Sequence, residues 1–150
     1  MNVTISFRQS EVFTEVARTT EYSGAKMSNE EAYERIATID EDRGLLQRFW
    51  DETRAEVARE LIRLLSTDGM DADGDTYTLQ LEVSPAFDNA LLPSMQLGLF
   101  SYFVQSIVAK WYVFTNKEES AAFASAGKKI LDDVREKAFY KKPPTRPIYD

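Results

Sequence analysis

Residues 91–114, LLPSMQLGLFSYFVQSIVAKWYVF, constrain the fold most, because this run of large apolar side chains carries a single formal charge, Lys110. Such a segment is either a buried core helix or a membrane span. A span needs roughly 20 predominantly apolar residues with few polar groups facing lipid. Polar residues and a proline interrupt this run at short intervals: Pro93, Gln96, Ser101, Gln105, Ser106 and Lys110. We therefore predict a core helix and no membrane contact.

The composition excludes several kinds of catalytic site, metal site and cross-link. Its 150 residues include no histidine and no cysteine. Ser-His-Asp and Cys-His catalysis, zinc-thiolate sites and disulfides are thereby excluded. No glycine-rich phosphate-binding loop is present. We predict a protein that is not an enzyme and that needs no cofactor and no metal.

Charge is unevenly distributed along the chain. Residues 1–116 contain 10 basic and 19 acidic residues, a balance of −9, whereas residues 117–150 contain 8 and 6, a balance of +2. An acidic body does not favour non-specific DNA binding, and a basic end can meet an acidic partner. The N-terminus has no charged segment followed by an apolar run, so synthesis in the cytosol is expected.

Two segments have the alternation of a strand. Val3, Ile5 and Phe7 alternate with polar residues, as do the apolar residues of 76–83. We expect these strands either to pair with each other or to extend a sheet in a neighbouring copy.

The rest of the chain is predicted to be mainly helical. The first helix is expected from Ser10 to Ser23-Gly24, the second follows a Ser28/Glu31 capping box, and the third covers about 41–66 after a Thr38/Glu41 capping box. A short helix is expected from Ser84-Pro85 through Leu91. Two long helices follow, one over the apolar segment and one over about 117–140 after Asn116. The last two form an antiparallel hairpin. The predicted class is mainly α (α+β): a helical bundle around a long C-terminal hairpin, with two short β-strands, in one domain of residues 1–140.

Two charged stretches each have a plain and a functional interpretation. The long helix 41–66 alternates charge on its polar face, which indicates either a solvated surface or an interaction stripe between repeated subunits. Residues 67–75, TDGMDADGD, suggest calcium, but alignment on Gly74 puts Gly69 and Gln80 where an EF-hand needs acids. A turn rich in Asp and Gly is the expected structure.

Residues 141–150, KKPPTRPIYD, cannot continue a helix, because their prolines lack donors and favour extended backbone. We predict an extended, basic, proline-rich tail that acts as a linker end or as a docking peptide. The candidate interface combines this tail with the first strand: Lys141, Lys142, Pro143, Pro144, Arg146, Tyr149, Val3, Ile5 and Phe7.

Three stretches carry a resemblance to a known class of protein: YSGAKM at 22–27, AYERIATIDEDRGLLQRFWDE at 32–52, and AKWYVFTNKEESAAFASAGKKILDDVREKAFYKKPPTRP at 109–147. They resemble the small helical proteins that lie among the head, neck and tail genes of phages and prophages of Bacteroides-type bacteria. The layout is similar to head-to-tail connector or adaptor proteins.

The resemblance implies a virion structural protein made in the bacterial cytoplasm. Many copies would form a ring between portal and tail proteins, with DNA passing through the lumen without specific binding. The alternative is a non-enzymatic cytosolic adaptor or tail-assembly factor that binds a partner through its C-terminal tail.

Overall fold

The computed structural model describes residues 1–26 and 37–144, which form four α-helices and a three-stranded antiparallel sheet. The helices are α1 (Gln9–Lys26), α2 (Arg43–Glu60), α3 (Leu92–Thr115) and α4 (Lys117–Phe139). The strands are β1 (Asn2–Arg8), β2 (Leu65–Met70) and β3 (Thr76–Glu82), and two 3-10 turns lie at Asp40–Asp42 and Asn89–Leu91. The predicted class, mainly helical with few strands around a C-terminal hairpin, is confirmed.

The sheet has the order β1-β3-β2, so the two predicted strands pair with each other inside one chain. Val3 lies opposite Leu81 and Phe7 opposite Tyr77. Their apolar side chains face the helices because a strand alternates its side chains between two faces.

The third strand, β2, was not predicted. The long helix was expected to reach residue 66, but α2 ends at Glu60, and Leu65–Met70 pairs with β3. The sequence LSTDGM has no apolar alternation, and a bulge between Leu65 and Thr67 breaks its register. It is a strand because β3 supplies hydrogen-bond partners, which overrides weak local propensity.

The hairpin of α3 and α4 packs closely. A Cβ added to Gly98 would lie 2.9 Å from Val134 Cγ2, so the absence of a side chain lets the two helices approach at this point. At the turn, the Ser120 hydroxyl donates to the carbonyl of Ala109 over 3.0 Å. Asn116 lies between the helices, but its side chain does not cap α4 as we expected.

An aromatic cluster fills the space between the sheet and the helices. Phe103 of α3 lies at its centre, with ring centroids 4.7 Å from Trp50, 5.2 Å from Phe7 and 5.3 Å from Tyr77. Trp50 and Phe103 are fully buried. Burying side chains of this size stabilises the fold by roughly 2–3 kcal/mol each.

Helix α3 is the core helix that its sequence predicted. Leu99, Phe103 and Ile107 are fully buried, and the helix contacts α1, α2, α4 and β1. Within the described residues, the segment Asn89–Thr115 is the one helix long and apolar enough to cross a membrane by length and composition.

Two helix boundaries differ from the expected ones. Helix α1 continues through Ser23 and Gly24 to Lys26, since Gly24 keeps helical backbone. After Ser84-Pro85 the chain makes a turn, in which the Ser84 hydroxyl accepts from the Ala86 N–H, and only a 3-10 turn precedes α3. The predicted capping box at Ser28 and most of its helix lie outside the described residues.

Candidate functional site

The predicted interface residues of β1 lie in the core of the chain itself. Val3, Ile5 and Phe7 are 5%, 0% and 8% exposed, and their side chains face the helices. These side chains are therefore already packed within the chain itself. A partner at β1 can reach the backbone of the strand, but not these three side chains.

One edge of the β1 backbone has no partner among residues 1–26 and 37–144. Val83 N–H donates to Met1 O, and Gln9 N–H donates to Asp75 O, both over 2.8 Å. Between these bonds the odd-numbered residues direct their N–H and C=O groups at β3, and the even-numbered ones direct theirs away from it. Thr4 and Ser6 thus present unpaired backbone groups, as far as residues 1–26 and 37–144 show.

The start of the predicted tail is attached to the body. Lys141, Lys142, Pro143 and Pro144 are exposed, as an interface would require. The Lys142 N–H donates to the carbonyl of Ala86 over 2.8 Å, and its ammonium lies 3.9 Å from Asp88. Arg146 and Tyr149, also predicted interface residues, lie outside the described residues.

A groove of about 570 Å³ lies between the end of β1, the first turn of α1 and the N-terminal half of α3. We call it the β1 groove. Its lining includes Phe7, Leu92, Pro93, Leu97 and Phe100, with Glu11 as its one charged residue and Asn89 at the 3-10 turn. Leu97 is 68% exposed, although leucine is a residue type that is most often buried.

A network of polar side chains connects α2 to α3. Glu56 accepts from the Tyr102 hydroxyl and from the Lys110 ammonium, each over 2.7 Å. Lys110 also donates to Ser106 over 3.2 Å, and Ser106 lies 2.9 Å from the buried hydroxyl of Thr53. Burial, and then the hydrogen bond to Glu56, raise the pKa of Tyr102, so its hydroxyl stays protonated.

This network borders a groove of about 480 Å³ between α2, α3 and α4, and its contacts do not favour nucleophilic catalysis. A serine-lysine pair would need a neutral lysine that accepts the serine proton. Lys110 instead donates to both Glu56 and Ser106. Thr53 donates to the carbonyl of Phe49 over 2.8 Å, and the Ser106 hydroxyl, 2.9 Å from Thr53, also lies 3.5 Å from Glu56 Oε2. The network holds the two helices together.

The charged face of α2 makes contacts within the chain. Arg54 lies 3.4 Å from Asp68 of β2 and over the ring of Tyr77, and Arg135 of α4 donates to the carbonyl of Glu60 over 3.2 Å. Part of this face therefore joins α2 to the sheet and to α4. For the rest of the face, the solvated surface and the interaction stripe both stay predictions.

The acidic loop uses its carboxylates as acceptors for groups of the chain. Asp73 accepts from the N–H groups of Asp75 and Thr76, each over 2.9 Å, and these bonds lower its pKa to about 2. Asp75 accepts from the N–H and hydroxyl of Ser10 and lies 2.9 Å from Arg8. The loop connects β2 to β3 in the chain, and its hydrogen bonds hold it against the start of α1. Gly74 takes the positive φ of 71° that the turn requires.

Over residues 1–26 and 37–144, no group of three or more acidic side chains is arranged to hold a metal ion. Sequence reasoning missed the Glu56 network, although one signal pointed to it. Lys110 is the single charge in the apolar segment, and a cation on a core helix needs a partner.

Comparison with known proteins identifies no family for the chain. No family model matches the chain, and no similar protein was found among curated proteins or among solved structures.

Proposed function

We propose that the chain is a structural subunit that assembles with copies of itself and has no catalytic role. The observation that carries the proposal is the edge of β1 that no other strand of the described residues pairs with. This strand is seven residues long, and its sequence NVTISFR has no proline and no charged residue before Arg8 at its end. Natural edge strands are usually protected against pairing by such residues or by bulges.

The two edges of the sheet are formed by different strands, β1 and β2. Pairing β1 of one copy with β2 of the next is a head-to-tail contact. Such contacts generate a closed ring when the rotation between copies closes. The bulge in β2 makes that edge less regular, so we expect β1 to contribute most of the new backbone hydrogen bonds.

From the resemblance to head-to-tail connectors, we propose that this assembly is part of a virion. In that role the ring joins portal and tail proteins in the virion, after synthesis in the bacterial cytoplasm. The acidic body of residues 1–116 suits a lumen through which DNA passes, because like charge keeps the phosphates from binding.

Thr4→Pro tests the role of the β1 edge. The side chain of Thr4 is exposed and its N–H points away from β3, so proline removes an outward donor and leaves the ladder to β3 intact. We expect Thr4→Pro to remain folded and to lose self-association in sedimentation velocity.

The matched control is Thr4→Ala, which removes the side chain but keeps the donor. It should assemble like the wild type. If Thr4→Pro is folded and assembles as well as Thr4→Ala does, the β1 edge is not the contact between subunits.

The alternative function, an adaptor that binds a partner through its C-terminal tail, is favoured by one observation. Lys141, Lys142, Pro143 and Pro144 are exposed beside an attachment point at Ala86, so the body presents the start of the tail at a fixed position. Capture of virion-assembly proteins that requires residues 141–150, from a subunit that stays monomeric, would favour the adaptor.

A further inference from the structure

The β1 groove lies at one end of the β1 edge, and Phe7 belongs to both. The lining of the groove is mostly apolar, and it includes Leu97, whose side chain is 68% exposed. A strand that pairs with β1 lies about 4.8 Å from it. A copy that pairs with the β1 edge therefore brings one of its own side chains next to the groove.

Ring closure determines the direction of the neighbouring strand. β1 and β2 are each antiparallel to β3, so they run parallel to each other within one chain. In a ring of many copies the rotation from one copy to the next is small, so β2 of the next copy keeps nearly the direction of β2 in the first. β1 and β2 of the next copy would therefore pair in parallel.

The end of β2 has outward backbone groups for such a partner. Asp71 N–H donates to Thr76 O of β3 over 2.7 Å, so the backbone groups of Asp71, and of Gly69 two positions earlier, face β3. Asp68 and Met70 direct their N–H and C=O groups away from β3. Among the strands that the structure describes, none pairs with this edge of β2.

We propose that β1 pairs in parallel with β2 of the next copy so that Phe7 lies opposite Met70, and that this methionine enters the β1 groove. The inference rests on the proposed function. In this register Ser6 N–H donates to the carbonyl of Asp68 in the next copy, and Met70 N–H of the next copy donates to the carbonyl of Ser6. Both Phe7 and Met70 pack toward the helices, so their side chains lie on the same face of the extended sheet.

Other registers fit less well. A shift by one residue would place the solvent face of β2 over the groove. A shift by two in one direction would place the Asp68 carboxylate opposite Phe7, where burial in an apolar groove is costly. A shift by two in the other direction would place Phe7 opposite Ala72, which lies beyond the end of β2.

The side chains that meet in the proposed register are complementary. Met70 is half-buried in its own chain, and an unbranched methionine side chain adapts to an irregular apolar groove. On the solvent face, Arg8 lies opposite Asp71 of the next copy, and the Arg8 side chain is 61% exposed. Opposite charges on neighbouring strands favour pairing.

Disulfide trapping between chains tests the register, since the chain contains no cysteine. Four single variants place a cysteine on the solvent face of one of the two strands: Thr4→Cys, Ser6→Cys, Thr67→Cys and Gly69→Cys. A Cβ at Gly69 would meet nothing within 4 Å, so this variant should also fold. Each β1 variant is mixed with each β2 variant and oxidised mildly, and linked chains are identified by peptide mass spectrometry.

The proposed register predicts that Thr4 links to Thr67 and that Ser6 links to Gly69. The crossed pairs, Thr4 with Gly69 and Ser6 with Thr67, are the matched control, because they use the same four chains and lie opposite each other only in antiparallel pairing. We expect the direct pairs to form about tenfold faster, since their Cα atoms lie about 5 Å apart and those of the crossed pairs about 8 Å apart, beyond the reach of a disulfide. Faster linking of the crossed pairs, or equal rates for all four, would overturn the register.

Leu97→Asp tests the groove itself. Leu97 is exposed in the single chain, so the variant should fold, but a carboxylate in the groove should weaken self-association about tenfold in sedimentation velocity. The control is Val113→Asp, at a side chain of the same helix that is 49% exposed and lies outside the groove. It should change self-association by less than about twofold. Equal association of the two folded variants would show that the groove takes no side chain from the next copy.

The register and the proposed function can fail separately. If self-association is lost in Thr4→Pro but the trapped pairs are the crossed ones, or none forms, the register is refuted and the proposed function is kept. A folded chain that never self-associates refutes the proposed function and the register with it.

Discussion

Glu56 of α2 and Lys110 of α3 are 54 positions apart in the sequence, and 2.7 Å separates Glu56 Oε1 from Lys110 Nζ. Lys110 is the only charge of the apolar segment, and Glu56 also accepts from Tyr102. This pair fixes how the long apolar helix lies on α2.

We expect Lys110→Met to destabilise the protein by about 1 kcal/mol in urea unfolding, because it leaves Glu56 without its cation. Partial exposure of Glu56 keeps the effect small. A double-mutant cycle with Glu56→Gln should give a coupling of about 0.5–1 kcal/mol. The exposed pair Lys128–Asp132 is the control, and equal coupling in the two pairs would contradict the assignment.

Gly98→Ala should destabilise the protein, whereas Gly127→Ala should not. A Cβ at Gly98 would lie 2.9 Å from Val134 Cγ2, so Gly98→Ala should cost about 1 kcal/mol after its gain in helix propensity. At Gly127 the nearest atom, Gln105 Cβ, would be 3.4 Å away, and Gly127→Ala should be neutral or stabilising by up to about 1 kcal/mol. The unfolding midpoints of the two variants test this prediction. A Gly98→Ala variant as stable as the wild type would refute the close approach of α3 and α4 at this position.

Asp73 should make stability depend on acid pH. Hydrogen bonds lower its folded pKa to about 2, below the unfolded value near 3.8. The stability that the ionised Asp73 carboxylate contributes is therefore present above the unfolded pKa and is lost as pH falls through the folded pKa. Asp73→Asn should be less stable than wild type at pH 5, and the difference should shrink toward pH 2. A difference that is constant over this range would contradict the role of the carboxylate.

Trp50 should be one of the most costly side chains to remove. It is fully buried and contacts Phe7, Phe13, Tyr77 and Phe103. Trp50→Ala should lower the free energy of unfolding by about 3–5 kcal/mol, whereas Phe114→Ala, at a ring that is 70% exposed, should cost less than about 1 kcal/mol. Similar losses in the two variants would show that the core lies elsewhere.

The helical hairpin and the pair of strands β1 and β3 could be predicted from the sequence, because their hydrophobic periodicities are local patterns. Val3, Ile5 and Phe7 alternate with period two, and the apolar residues of α3 recur at helical spacing. Strand β2 was not readable, because LSTDGM becomes a strand only against β3.

The candidate sites depended on information that no local pattern contains. Sequence reasoning selected β1 through the side chains of Val3, Ile5 and Phe7, but those side chains are buried. Among the described residues, the unpaired groups of β1 are the backbone N–H and C=O groups of Thr4 and Ser6. The β1 groove brings Phe7 next to Leu97, ninety positions later, and only the packing of α3 under the sheet brings them together.

Native mass spectrometry of the purified wild-type chain, alone and mixed with phage portal and tail proteins, tests the central claim of the proposal most directly. Self-assembly through the β1 edge predicts a closed oligomer of one defined stoichiometry, which Thr4→Pro reduces to monomer and Thr4→Ala does not. A folded monomer in every mixture and at every concentration would contradict it.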